Sequence, residues 1–289
     1  PNTGQLLIVT GGDFNKTYYQ SLLPVQNIQY ANNVAYWDTS EYWNPGWNIM
    51  TSQIPELNAP VSALTYTNTD IYVGGEFTVA STTPLSYFAR WNIVDELWYP
   101  IVSNNATGLN NVIYALTIDA SSNIYLGGKF SNGGGKELNF IGKYSIGSNV
   151  FTQFKYAGNI GFNDVVYSLS LNPVINSLTV GGNFTESNGG LLQTIFRVAR
   201  INLSNNLINS IRNTAGDHSG FNDTVYTVYN NFPIIYFGGS FQNTLINADL
   251  TVKNCAYFNA SGLSGQVTLI KNGDESMFID TETLNTTDS

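Results

Sequence analysis

Few residues in this sequence are of a type that does chemistry, and most of those recur at matching places in a repeat. The strongest set closes a short loop seen several times along the chain. Asn111 ends GLNN, Asp164 and Asp223 end two copies of GFND, Asp274 ends KNGD, and Ala59 takes the place in ELNA. Asp164, Asp223 and Asp274 gathered around one opening would suit a hard cation. Two of them at the right separation, with Glu56 as a weaker partner, would suit glycoside hydrolysis. The alternative is that each side chain caps its own loop, as Asn and Asp do in turns.

The other candidates are weaker. His218 is the single histidine and lies between Asp217 and Ser219. Adjacency in sequence does not build a catalytic triad, which needs a strained turn and an oxyanion hole, so His218 reads as a solvated side chain. Cys255 is the single cysteine, which excludes an intrachain disulfide and a cysteine-based zinc site. The glycine pairs resemble phosphate loops, but no helix follows them to offer its N-terminal amides. No cofactor is expected. Sequons at Asn15, Asn105, Asn183 and Asn222 are candidate glycosylation positions, to be used only on a secretory route. Those at Asn202 and Asn259 fall in a turn column with Asp38 and Asn92, where a turn role suffices.

Composition narrows the function classes. Charged residues make up 11% of the chain, against an ordinary ~25%. Twenty acids against 11 bases give a net charge of −9, which suits a nucleic-acid binder poorly. No apolar run is long enough for a membrane-spanning helix. The 43% hydrophobic content is enough for a sizeable core, and the neutral, Asn-rich surface is of the kind found on extracellular proteins. The sequence opens at Pro1 without a signal-peptide pattern, as expected of a processed chain or an ordered piece of a longer one.

The elements that would position these residues follow from a repeat. IVTGGDF, IYVGGEF, IYLGGKF, LTVGGNF and IYFGGSF place first glycines at 11, 74, 127, 181 and 238. Each is followed by a second motif: NVAYWD, YFARWN, FIGKYS, RVARIN and NCAYFN. Four are preceded by a third, APVSALTY, NVIYALTI, DVVYSLSL or DTVYTVYN, and a shorter fourth segment completes the unit. The segments are short, rich in Val, Ile, Tyr and Phe, and bounded by Asn, Gly, Asp and Ser, so each unit reads as four strands. The expectation is an all-β, five-bladed β-propeller of four-stranded antiparallel blades, a single domain over 1–289. The first unit lacks its innermost strand, and NGDESMFIDT (272–281) aligns with the missing one. The C-terminal strand would then complete the first blade and close the ring, removing two open sheet edges.

Stacking the copies gives further expectations. Cys255 shares a column with Val34, Phe88, Ile141 and Val198, and so should be buried and inert. The next column is always small (Ala35, Ala89, Gly142, Ala199, Ala256), as if neighbouring blades pass closely there. The glycine pairs suggest close backbone approach or a bulge. The first unit carries a surplus within NKTYYQSLLPVQNIQ, whose Tyr18, Tyr19, Leu22 and Leu23 are either partner contacts or a cover for the blade edge.

LTVGGNFTESNGGLLQTIFRVARINLSNN (178–206) resembles the delta-sixty β-propeller repeat of bacterial surface-type proteins. IYVGGEFT and YFARWNIVDELW (71–98) are similar to kelch-like propellers of fungal cortical polarity markers. The resemblance covers nearly the whole chain and implies extracellular or surface interaction scaffolds, with no catalytic motif to carry over. The function expected is therefore a non-enzymatic scaffold for protein contacts or self-assembly, placed outside the cell, on a cell surface or on a virion. The alternative is a lectin-like propeller that binds glycans, and after it a glycoside hydrolase.

Overall fold

A computed structural model describes residues 7–20, 26–29, 31–38, 47–50, 57–156, 158–186, 195–212, 218–244, 253–259 and 266–268. Among them there is no helix, and the fold is all-β. Among the described residues, five larger, mainly antiparallel sheets follow one another along the chain, one per sequence repeat, with small two-stranded sheets beside them.

The second sheet shows the pattern. Val61–Tyr66, Asp70–Gly75, Phe88–Asn92 and Leu97–Pro100 pair in chain order as a meander. The third sheet repeats it with Ile113–Ile118, Asn123–Gly128, Ile141–Ser145 and Val150–Thr152. In the fourth, Val166–Asn172, Ser177–Gly182, Val198–Asn202 and Leu207–Arg212 form the meander, with short additional strands on its outer edge. Val225–Asn231, Ile234–Gly239, Cys255–Asn259 and Gln266–Thr268 form the fifth. The first sheet has Leu7–Gly11, Val34–Asp38 and Trp47–Ile49 among the described residues. Its proposed closing segment, 272–281, lies outside them.

The sheets pack face to face, and their first strands neighbour one another from the second sheet to the fifth. Hydrophobic clusters accordingly lie between sheets. One joins Val34 and Met50 of the first to Val61, Ile71 and Trp91 of the second. Others join the second to the third through Phe88 and Ile113, and the third to the fourth through Ile141 and Val166. The last joins Val198 to Val225 and Phe237. This is a β-propeller type of repeat packing, in which each sheet uses both faces and the core is a series of layers.

The glycine pairs have two separate causes. In the first four pairs the first glycine lies against the next sheet: a Cβ on Gly74 would stand 2.6 Å from Ile113 Cγ2, and one on Gly181 2.7 Å from Val225 Cγ1, whereas one on Gly238 would meet Thr227 of its own sheet. The second lies under its own sheet's first strand, where a Cβ on Gly128 would stand 2.1 Å from the Val112 carbonyl oxygen. A bulge forms at that point in four sheets, between Val61 and Ala63, Ile113 and Ala115, Val166 and Ser168, and Val225 and Thr227.

Expectations about two columns are sharpened or corrected. The first glycine is a tight pass between sheets; the small column also lies between sheets at Ala89, Ala199 and Ala256, whereas a Cβ on Gly142 would meet Leu138 of its own repeat. Cys255 is half-buried, where full burial was expected; it lies in the last described sheet, and burial pushes its thiol pKa up.

One repeated feature has no sequence signature. Asn33, Tyr87, Phe140, Arg197 and Asn254 all have left-handed backbone, with φ between 66° and 70°. Each donates its N–H to the Phe carbonyl that follows a glycine pair and accepts from the pair's second glycine. Two fixed hydrogen bonds hold a conformation that costs most L-residues about 1–2 kcal/mol.

Candidate functional site

The first strands of the sheets enter from one rim, through the loops that carry the acid column. In those loops the polar side chains are occupied by the fold. Asn111 Oδ1 accepts from the Val112 N–H at 2.9 Å, Asp164 Oδ1 from Val165 at 2.7 Å, and Asp223 Oδ1 from Thr224 at 2.6 Å. The second oxygen of Asp164 accepts from Asn183 Nδ2 at 2.6 Å. Asn183 Oδ1 in turn accepts from Arg197 at 2.7 Å and from Thr224 Oγ1 at 2.8 Å. Asp274 lies outside the described residues, as does Glu56.

Electrostatics bears on the hydrolase reading. The Thr224 N–H, with help from the Thr224 hydroxyl, Arg197 and Ser240, holds the Asp223 carboxyl below its usual range. A general acid needs the opposite shift. Among the described residues, no group of three or more His, Cys, Asp or Glu is placed to hold a metal ion.

The residue before the acid column does more structural work than the sequence suggested. Asn58, Asn110, Asn163 and Asn222 each bracket the turn that follows their own glycine pair. Asn163 Oδ1 accepts from the Thr185 and Glu186 N–H groups at 2.9 and 3.1 Å, and its Nδ2 donates to Thr185 Oγ1 at 3.0 Å. Asn222 Oδ1 accepts from Gln242 and Asn243, both at 3.0 Å. The recurrence of Asn in that column was the available signal. Of the sequon residues, Asn15, Asn105 and Asn222 are exposed and Asn183 is half-buried; Asn183 and Asn222 also hold the bonds described above. Asn15 also borders a polar cleft of about 440 Å³ between the first and second sheets, with Asp13, Asn32 and Asn58.

The bulges place a set of aromatics that the sequence reading passed over. The extra residue at each bulge is Ser62, Tyr114, Tyr167 or Tyr226. Three of these meet across sheets. Tyr114 and Tyr167 have ring centroids 5.4 Å apart, and Tyr167 and Tyr226 are also 5.4 Å apart. Burial, together with Tyr114, Tyr226 and Asp164, pushes the Tyr167 phenol pKa up. Tyr226 is 55% exposed.

The surplus of the first unit forms a hairpin, Thr17–Gln20 with Gln26–Gln29, pairing Tyr18 with Ile28 and Tyr19 with Asn27. It corresponds to the small hairpins Val79–Ala80 with Thr83–Pro84 and Asn132–Gly133 with Lys136–Glu137. The side chains of Tyr18 and Tyr19, and all of Leu22 and Leu23, lie outside the described residues. The His218 backbone pairs with Arg212.

A different surface collects the exposed apolar residues. The turns joining first to second and third to fourth strands share one rim, opposite the acid column. Among the described residues, every exposed large apolar side chain except Val102 and Tyr226 lies on or toward that rim. Tyr66 and Val174 are each 70% exposed and Val94 is 69% exposed; Ile8, Leu97, Ile175, Leu207, Tyr229 and Phe232 join them.

No protein-family model and no curated protein matches the sequence. Among solved structures, the WD40 repeats of RRP9 are similar at 13% identity, with 82% of this chain and 58% of that one covered and a TM-score of 0.45. U3-55K is similar at 11% identity over 88% and 59%, with a TM-score of 0.46. The computationally designed Ika4 protein is similar at 11% over 65% and 89%, with a TM-score of 0.38. The chain spans under two thirds of the length of RRP9 and U3-55K.

Proposed function

We propose that the chain is a five-bladed propeller of four-stranded blades, closed by 272–281, and that it is a non-enzymatic scaffold for protein contacts. The observation that carries the functional reading is the apolar rim. Large apolar side chains on short, hydrogen-bonded turns offer a rigid contact surface, and desolvating them is the main source of association energy. The opposite rim spends its carboxylates and amides on its own loops, which leaves little there for acid–base chemistry. A low charge density, with a net charge of −9, is compatible with the surface, extracellular or virion setting implied by the delta-sixty and kelch-like likeness. The partner is another protein or a further copy of the chain.

The test is a triple variant, V94D/V174D/F232D, compared with the native chain. All three positions are exposed, so melting temperature should hold within about 2 °C while partner capture and self-association fall. Sedimentation separates the two kinds of partner. Unchanged binding of every partner by the variant would remove the rim from the proposal.

A further inference from the structure

Beyond protein contacts, we infer that the bulge tyrosines Tyr114, Tyr167 and Tyr226 form a binding site for a neutral sugar. The three rings come from the first strands of three successive sheets and stand in a row at 5.4 Å intervals. At one end the equivalent bulge residue of the second sheet is Ser62, which brings no ring to the row, and Tyr114 is partly exposed. At the other end Tyr226 is 55% exposed. Each end of the row thus offers an aromatic face, and the C–H face of a pyranose ring stacks on such a surface while its hydroxyls reach outward.

The polar complement fits the same ligand. Three tyrosine hydroxyls elsewhere are committed: Tyr99 donates to Asp95, Tyr125 to Asp119 and Tyr144 to Asn149. The hydroxyls of Tyr114, Tyr167 and Tyr226 have no hydrogen-bond partner among the described residues. A phenol both donates and accepts, which is what a sugar hydroxyl requires of its partner.

A cationic ligand fits less well. The carboxylate beside the row, Asp164, already accepts from Val165 and Asn183, and Asp223 accepts from Thr224 with Arg197 nearby. Carboxylates supplied with donors in this way gain little from a further cation. The site also differs from one shallow pocket per blade, because three sheets contribute to a single row.

The bulge is what makes the site. A regular strand would put one residue opposite each partner, whereas the bulge leaves Tyr114, Tyr167 and Tyr226 without one and re-aims them. None of the three tyrosines belongs to the hydrophobic clusters between the sheets, so the packing of the repeat leaves these rings free to answer to a ligand.

The experiment is ligand-observed saturation-transfer NMR with cellobiose, maltose, lactose and chitobiose in turn, with tetramethylammonium chloride as a separate arm. Saturable binding of at least one sugar is expected, weakened about tenfold or more by Y226A and by Y114A. Y167F keeps the ring and removes one hydroxyl, and should weaken binding by a smaller factor. Thermal melts confirm that each variant is folded, and Y226A changes an exposed side chain. Failure of all four sugars to bind, binding unaffected by Y226A and Y114A in folded protein, or saturable binding of tetramethylammonium alone would overturn the assignment. None of these outcomes bears on the apolar rim, which the triple variant tests separately.

Discussion

Replacing Gly127 by alanine tests whether the first glycine of each pair exists for the approach of the next sheet. The new Cβ would lie 2.4 Å from Val166 Cγ1 and 3.2 Å from Val166 Cβ, with Leu169 Cγ at 3.4 Å. Ordinary carbon contacts begin near 3.4 Å, so the overlap with Val166 is about 1 Å. Valine cannot swing the methyl aside cheaply, because branching at Cβ restricts its χ1. Overpacking of this kind costs roughly 1–3 kcal/mol. Alanine recovers about 0.4–1 kcal/mol by restricting the unfolded chain. The net loss expected is therefore about 1–2 kcal/mol, or a fall in Tm of roughly 2–8 °C.

The decisive measurement is a double-mutant cycle by urea denaturation. Val166→Ala removes the clashing methyl, at a cost of its own of about 2 kcal/mol from lost burial and a residual cavity. The double variant should then be more stable than the summed single losses predict, by about 1 kcal/mol. Gly128→Ala supplies the contrast. Its Cβ would strike the Val112 carbonyl oxygen, a main-chain atom that no side-chain truncation relieves. A loss below about 0.5 kcal/mol for Gly127→Ala, or strictly additive effects with Val166→Ala, would refute the explanation.

Two further outcomes are expected. Asn163→Ala removes two accepted backbone bonds and one donated bond, and should cost about 1–2 kcal/mol in thermal or urea melts because water partly replaces them; Asn163→Asp keeps the acceptors and should cost less. Burial, reinforced by Asp70 and opposed by Arg90, pushes the Tyr72 phenol up to about 12 from its ordinary 10.0. A raised folded-state pKa gives stability that is intact below pH 10 and lost as pH rises through about 12. Tyr72→Phe should therefore flatten the alkaline limb of a stability–pH curve over that window, and an unchanged limb would contradict the assignment.

Much of the architecture was legible because a repeat exposes its own requirements. Five GG-x-F segments, each followed by a strand with a small second residue, define units that correspond to the observed sheets. In the column read as loop caps, Asn111, Asp164 and Asp223 each have the side chain on the following N–H. Other features were hidden for definite reasons. The left-handed residue before each third strand is Asn, Tyr, Phe, Arg or Asn, since the two backbone bonds that enforce it are indifferent to the side chain. The bracket made by Asn58, Asn110, Asn163 and Asn222 accepts from backbone N–H groups about twenty residues away, which carry no sequence mark. Its column was visible, but its partners were not.

The sequence by itself determined strand content, repeat count and the residues that must be small, because side-chain volume and β-propensity act locally or recur with the period. Only the tertiary structure decided which neighbour each small residue makes room for. Gly127 answers to the next sheet, Gly128 to its own first strand, and Gly142 to Leu138. It also decided that Tyr114, Tyr167 and Tyr226 converge. In a regular strand they would be ordinary alternating residues, and a one-residue bulge repeated in successive sheets turns them into one surface.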